Sequence, residues 1–292
     1  MQNKTVVYLL IILLIVLCPL IYFVGSVTTT QKYSQTISLA GSTTVFPIGQ
    51  GWAEALQAYH SNLNVEVSAG GSSVGIAKVG QGLVDIGMSS RQLVSSDLAT
   101  YPNLINITVA LDGICMVINS GVTGITNLTL TQIKMIYNGT YTYWSDISST
   151  APANLIQRAG RATTSGTYDY FYTTVMKKDL NYAVEAEFEA NAGVHGYVQT
   201  TPNSIGYIGL GYVSGLTVVP INQAGILYYP TKPMIQNFTY PIARRLFLVT
   251  NGQPANGSLT QMFINFALSI QGQLIVERPG IDFVALPHVP FI

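Results

Sequence analysis

Charge is what this chain has least of. Of its 292 residues only 9% are charged, 13 Lys and Arg against 13 Asp and Glu, for a formal net charge of +0. A surface that tracks a nucleic-acid backbone has to be basic, so broad nucleic-acid binding is excluded. Cysteine is nearly missing: Cys18 lies in an apolar N-terminal run and Cys115 in an apolar segment far along the chain, so no disulfide framework is expected. Cys115 reads as a small buried hydrophobe. The histidines, His60, His195 and His288, have no ligand-like spacing to one another or to a cysteine, which argues against a metal site. Ser165 lacks the preceding glycine of a nucleophile elbow, and no His/Asp pair recommends itself beside it. The reading is therefore a protein that is not an enzyme and needs no cofactor. Internal repeats and low-complexity runs are also missing.

What is present starts with hydrophobicity. Mean hydropathy is +0.36. Part of it is the uncharged run from Val6 to Val24, VVYLLIILLIVLCPLIYFV, about the length that crosses a bilayer. Lys4 before it weakly favours an inside N-terminus. A cleaved signal peptide is the competing reading, with small residues at Val24-Gly25-Ser26; the length of the run favours a retained anchor. Either way the remainder is expected outside the cytoplasm, tied to the cell membrane by a single pass. Asn-X-Ser/Thr sequons at Asn106, Asn127, Asn138, Asn237 and Asn256 would permit a glycosylated exterior.

Three short loops of Gly, Ser and Thr carry the chemistry: Gly41-Ser42-Thr43-Thr44, Gly70-Gly71-Ser72-Ser73, and Arg161 through Thr167 (RATTSGT). Each leads into a helix-like stretch, and each offers hydroxyls and free backbone N–H groups at a helix start, where an anion is held with little fixed charge. Around the first two, alternation at Ile37 and Leu39, helical spacing at Ile48, Trp52, Ala55, Leu56 and Tyr59, and alternation at Leu63, Val65 and Val67 set a strand–loop–helix–strand rhythm. A short helix over 74–79 and a strand over 83–88 follow. This is the rhythm of an α/β domain with parallel strands, whose ligands bind beyond the carboxyl ends of strands. Further along, the pattern predicts strands over 111–119, 155–157, 204–213 and 241–250. It predicts helices over 130–137, 168–176, 185–190 and 259–273. Any one Gly/Ser/Thr loop is most simply a turn or a helix cap; three of them beside Arg161 suggest a cage.

The order of these segments resembles the PstS-type phosphate-binding proteins, the substrate-binding components of ABC phosphate importers. The resemblance rests on GSTTVFPI (41–48), GGSSVGI (70–76), DIGMSSR (85–91), LDGICMVIN (111–119) and NLTLTQIKMIYNG (127–139). It continues with RATTSGTYDYF (161–171), IGYIGLGY (205–212), YPIARRLFLVTNG (240–252) and FINFALSIQGQLIVERPG (263–280). It implies an α/β, two-domain, periplasmic-binding-protein-like fold of type II with a hinge and a central cleft. Residues 33–113 and 217–292 would form one domain and 114–216 the other, with the hinge near Asp112 and Leu216. Residues 1–26 would be the membrane anchor or signal segment, preceding an N-terminally tethered domain, and 27–35 the tether.

By position, the resemblance assigns phosphate-binding roles to Ser42, Thr43 and Thr44 of the first loop, and to Ser72 and Ser73 of the second. Ser165, Gly166 and Thr167 of the third would act from across the cleft, with Arg161 as the strongly placed cation. Ser90 stands where many members have an Asp that accepts the proton phosphate retains, and so repels sulfate. Some members carry Ser-Ser-Arg there, so phosphate stays open, with Arg91 as a second cation. Asp112 is read as a hinge or capping residue, or as a substitute acceptor if the fold brings it near. Arg244 and Arg245 are read as structural. A charged group gains about 1.5–3 kcal/mol per hydrogen bond, so several of them exceed the roughly 8 kcal/mol of a micromolar complex. The expected partners are inorganic phosphate, ABC permease subunits, and the membrane through the N-terminal helix. The alternatives are the same fold binding sulfate or another oxyanion, and a surface-structural protein with an inactive cleft.

Overall fold

The structure, a computed structural model, describes residues 35–287. The apolar run at 6–24 and His288 lie outside the described residues. Among those described, no single helix is long and apolar enough to cross a membrane.

The chain begins with β1 (Gln35–Gly41), whose Ile37 and Leu39 are buried. The first glycine-bearing loop leads into α1 (Phe46–Tyr59). Pro47 sits in its first turn, where a missing N–H removes no helical bond, and Ile48, Trp52, Ala53 and Leu56 are buried. Then come β2 (Leu63–Ala69), α2 (Ser72–Gly80), β3 (Ile86–Ser89) and the short α3 (Ser95–Thr100). β2 and β3 flank β1 and run parallel to it, so the loops after β1, β2 and β3 open at one end of the sheet.

β4 (Leu104–Ile118) crosses from one half of the molecule to the other. Beyond it lie α4 (Leu130–Tyr137), β5 (Gln157–Arg161), α5 (Gly166–Thr174), β6 (Ala186–Phe188), α6 (Asn191–Thr200) and β7 (Ser204–Gly209). The chain continues through β8 (Thr217–Val219), the hairpin of β9 (Ile221–Gln223) and β10 (Ile226–Tyr228), and α7 (Lys232–Gln236). It returns through β11 (Ala243–Asn251) to α8 (Leu259–Leu268) and α9 (Ile270–Val276). The main sheet runs β2-β1-β3-β11-β4-β7-β5-β6, with β8 paired to β4 off that path. β4 is the shared element. Its stretch Leu104–Gly113 pairs antiparallel with β11, and Ile114–Ile118 pairs antiparallel with β7.

The two largest cores among the described residues follow this division. One gathers Ile37, Leu39, Ile48, Trp52, Met88, Leu246 and Phe263. The other gathers Met116, Ile133, Trp144, Phe171, Tyr207, Ile235 and Tyr240. The expected boundary at residue 216 does not coincide with the change of core. β8 pairs with Met116–Ile118, and Ile221, Ile235, Tyr240 and Ile242 join the second core; the chain rejoins the first core only along β11.

Three expectations about elements are corrected. Residues 185–190 were expected to be helical from their Glu/Ala content but contain the edge strand β6, paired in parallel with β5, because backbone pairing there outweighs a weak intrinsic preference. The single helix over 259–273 is two helices bent by 67°. Ser269, extended at φ −70° and ψ 166°, breaks the first and caps the second by accepting from the Gly272 N–H. The sheet is also mixed and not all-parallel, since β4 and β11 run antiparallel to their neighbours. Cys115 is buried in β4, with no disulfide, and burial pushes its thiol well up. The sequon at Asn106 lies inside β4 with its side-chain oxygen buried, whereas the other four lie in loops and turns.

Candidate binding site between the two lobes

The three loops predicted to converge do so. The Ser42 hydroxyl accepts from the N–H groups of Thr44 and Val45, at 3.2 and 3.3 Å, which curls the first loop into α1. Gly71 precedes α2 at φ 93°, in the left-handed region that glycine tolerates. Ser165 caps α5 by accepting from the N–H groups of Thr167 and Tyr168. Contacts then run across the cleft. The Ser73 N–H donates to the Thr164 carbonyl at 3.1 Å. The Thr44 and Thr167 hydroxyls meet at 3.1 Å. Tyr212, from beyond β7, donates to the Thr43 carbonyl at 2.8 Å. Ser42, Thr43, Thr44, Ser72, Ser90, Ser165 and Thr167 are all buried.

Arg161 ends β5, where its backbone N–H donates to the Tyr207 hydroxyl. Its guanidinium donates to Asn191 Oδ1 (2.7 Å), Thr43 Oγ1 (2.8 Å) and the carbonyls of Glu189 and Phe188 (2.7 and 3.2 Å). Every one of these acceptors is neutral. Arg161 is 0% exposed, yet among the described residues it has no carboxylate partner. Burial pulls it down to about 10, a shift that the nearby Arg244 charge adds to and the Tyr207 oxygen opposes. A cation buried without a counter-ion is costly.

Arg244 was expected to be structural and kept out of the site; the structure brings it in. It stands opposite Asp112 in the antiparallel register of β11 and β4. Nε and Nη2 donate to Asp112 Oδ2 at 2.9 and 2.7 Å. The remaining hydrogens reach both sides of the cleft: the Ser90 carbonyl and Thr44 Oγ1 on one side, the Gly166 carbonyl and Thr167 Oγ1 on the other. Asp112 also accepts from the Leu210 N–H at 2.9 Å and anchors Arg244. Burial raises its carboxyl while Arg244 works against that rise.

Arg91 takes the opposite path. Expected as a second cation of the cage, it is paired with Asp97 at 2.6 and 3.1 Å, and Asp169 lies 3.9 Å away. Burial raises Asp97, but the hydrogen bonds from Arg91 and the Val94 N–H outweigh it and hold the carboxyl below its ordinary value. Arg91 thus lines a neighbouring cavity of about 390 Å³, along with Arg244, Asp169 and Phe238, and touches the second loop only through Ser73 Oγ at 3.4 Å.

Sequence reasoning also missed Asn191, which opens α6. It accepts from Arg161 and donates to Thr44 Oγ1 at 3.1 Å, a bridge hidden because α6 was not foreseen. A signal for Arg244 did exist. Asp112 and Arg244 are opposite charges set within two otherwise apolar strand segments, and such charges need a buried partner. Asp112→Ala is expected to lower stability by about 3–5 kcal/mol, because it strands a buried guanidinium. Urea unfolding measures this, and a loss below about 1 kcal/mol, the worth of a surface pair, would contradict it.

Two lobes joined at a shared strand, with polar loops and an uncompensated guanidinium between them, define a cleft-type solute-binding protein. The family model described as the PBP superfamily domain matches residues 26–270. The phosphate-binding protein PstS of Borreliella burgdorferi is 32% identical over 262 residues, covering 86% of this chain and 90% of that protein. The PstS of Pseudomonas aeruginosa is 28% identical over 275 residues, covering 87% and 84%. Among solved structures, a putative phosphate ABC transporter substrate-binding protein with bound phosphate from Clostridium perfringens superposes with a TM-score of 0.77. It is 29% identical, and the match covers 86% of this chain and 100% of that one. The chain belongs to the PBP superfamily and, within it, to the PstS-type phosphate-binding proteins.

Proposed function

We propose that this chain captures inorganic phosphate between its lobes and hands it to an ABC permease, as a binding protein and not an enzyme. The observation that carries this reading is Arg161, wholly buried and hydrogen-bonded only to neutral acceptors. A buried cation calls for an anion, and the surrounding donors suit oxygen atoms. Thr43, Thr44, Ser72, Ser165, Gly166 and Thr167 supply hydroxyl and backbone donors, with Arg161 as the charge. Ser42 and Ser73 shape the loops from behind. Ser90 closes one wall, and Arg244 with Asp112 braces the loops where the lobes meet. The functions of the relatives, phosphate binding and phosphate ABC transport, agree with this.

Calorimetric titration of the purified extracellular portion with inorganic phosphate tests the reading. Micromolar or tighter binding at one site per chain is expected, and the absence of saturable heat would overturn it. We further propose that residues 6–24 anchor the protein in the cell membrane, with the lobes outside the cytoplasm. The support is the uncharged length of that run. Recovery of the full-length protein in the soluble fraction after alkaline carbonate washing of membranes would overturn the anchor.

A further inference from the structure

A carboxylate stands beside Arg161 without being bonded to it. The Arg161 guanidinium donates to the backbone carbonyl of Glu189 at 2.7 Å. The carboxylate of that same residue is a few rotatable bonds away, so a change of rotamer brings it to the cation. It is turned aside instead, because Thr164 Oγ1 donates to Glu189 Oε2 at 3.1 Å. Burial pulls Arg161 down, and the Glu189 charge works against that fall. Asp112 pairs with Arg244 and Asp97 with Arg91, which leaves Glu189 as the carboxylate beside Arg161 among the described residues. Glu189 is exposed, so nothing packed over it stops the side chain from moving.

Thr164, which holds that carboxylate, is also where the opposite lobe arrives. The Ser73 N–H donates to the Thr164 carbonyl at 3.1 Å across the cleft. Gly71 lies so close that an added Cβ would stand 2.7 Å from the Thr164 carbonyl oxygen and 3.1 Å from its Oγ1. With the lobes together, Thr164 is therefore clamped between the second loop on one side and Glu189 on the other. The Thr44 and Thr167 hydroxyls, which meet at 3.1 Å, close the same seam further in.

We propose that Glu189 is a built-in counter-ion that couples the opening of the lobes to release of the anion. With the lobes closed, Thr164 holds the carboxylate off, and the Arg161 charge is left to the ligand. When the lobes part, Ser73 and Gly71 withdraw from Thr164 and the carboxylate is let go. It then pairs with Arg161, since an opposite charge at close range favours both ionised groups, and competes with the departing anion. Thr164 is the positioning residue of this device. The closed cleft grips and the opening cleft expels, which suits delivery to a permease. This rests on the anion-cage reading above and adds a release step to it.

The test is a double-mutant cycle read by calorimetric titration of the full chain with inorganic phosphate, using the unmodified protein, Glu189→Gln, Thr164→Val and the double variant. Glu189→Gln is expected to bind phosphate about fivefold more tightly, the worth of a well-placed, partly exposed ion pair. A side chain with only a structural role would not give a gain. Thr164→Val frees the carboxylate even in the closed cleft, so it is expected to weaken binding by a similar factor, and to do so only while Glu189 is present. Unchanged or weaker binding in Glu189→Gln would overturn the proposal. So would a Thr164→Val effect of the same size with and without Glu189, because Glu189 would then act by simple repulsion of the ligand and not by exchange with Arg161. Failure of phosphate to bind the unmodified protein would instead remove the anion-cage reading on which the proposal rests.

Discussion

Replacing Arg161 by Met is expected to abolish phosphate-induced stabilisation while moving the ligand-free melting temperature comparatively little. The two effects separate because of what Arg161 touches. Its acceptors are a threonine hydroxyl, an asparagine oxygen and two carbonyls, so no carboxylate is bonded to it among the described residues. Without ligand, losing the side chain forfeits those bonds but also removes the penalty of burying a charge, and the two changes oppose each other. With ligand, only loss remains. Truncating one partner of a buried, hydrogen-bonded charge pair costs about 2–5 kcal/mol or more, a factor of roughly 30 to several thousand in affinity. At a phosphate concentration of about one hundred times the native dissociation constant, the native protein gains about 2.7 kcal/mol. The variant is expected to gain little of that in a thermal melt read with and without phosphate. A native-sized shift in the variant would show that the charge of Arg161 is not what the ligand meets.

Gly166→Ala is expected to cost at least about a hundredfold in phosphate affinity by preventing closure. Gly166 opens α5 and is not among the positive-φ glycines, so its own backbone accepts alanine. The obstacle lies across the cleft. An added methyl carbon would meet Ser90 Oγ at 2.7 Å and Ser72 Cβ at 2.9 Å, closer than carbon side chains approach. Each lobe is expected to fold normally, and the lobes to stop short of one another. Small-angle scattering reads this directly: phosphate should shrink the radius of gyration of the native protein and leave that of the variant unchanged. Gly71→Ala would be a poorer probe, because Gly71 sits at φ +93° and the substitution would also strain the second loop itself.

Much of this was legible in the sequence where local chemistry decides structure. Pro47 at a helix start, the alternation of Ile37 and Leu39, and small hydroxyl residues at helix N-termini are local signals, and the first two loops and α1 lie where they were expected. α4 has the predicted bounds, with Thr129 and Gln132 forming a capping box. What was hidden depended on pairing over long sequence distances. Residues 186–188 form a strand because Arg161 and its neighbours offer an open edge, which no property of Glu and Ala announces. Arg244 enters the site because the antiparallel register sets it opposite Asp112, 132 residues away. Arg91 leaves it because Asp97, only six residues on, captures it first. The guanidinium that looked closer to the loops in sequence is the one held by its own acid. The one that looked structural orients Thr44 and Thr167.

In the proposed function, separate loops from two lobes jointly grip a tetrahedral oxyanion through Arg161. The most direct test is a crystal structure of the protein grown with phosphate. An anion enclosed between the lobes, touching Arg161 and the loops at Thr43, Ser72 and Ser165–Thr167, is the predicted result. An anion bound elsewhere at full occupancy, with the lobes closed and Arg161 still contacting only neutral protein groups, would contradict it.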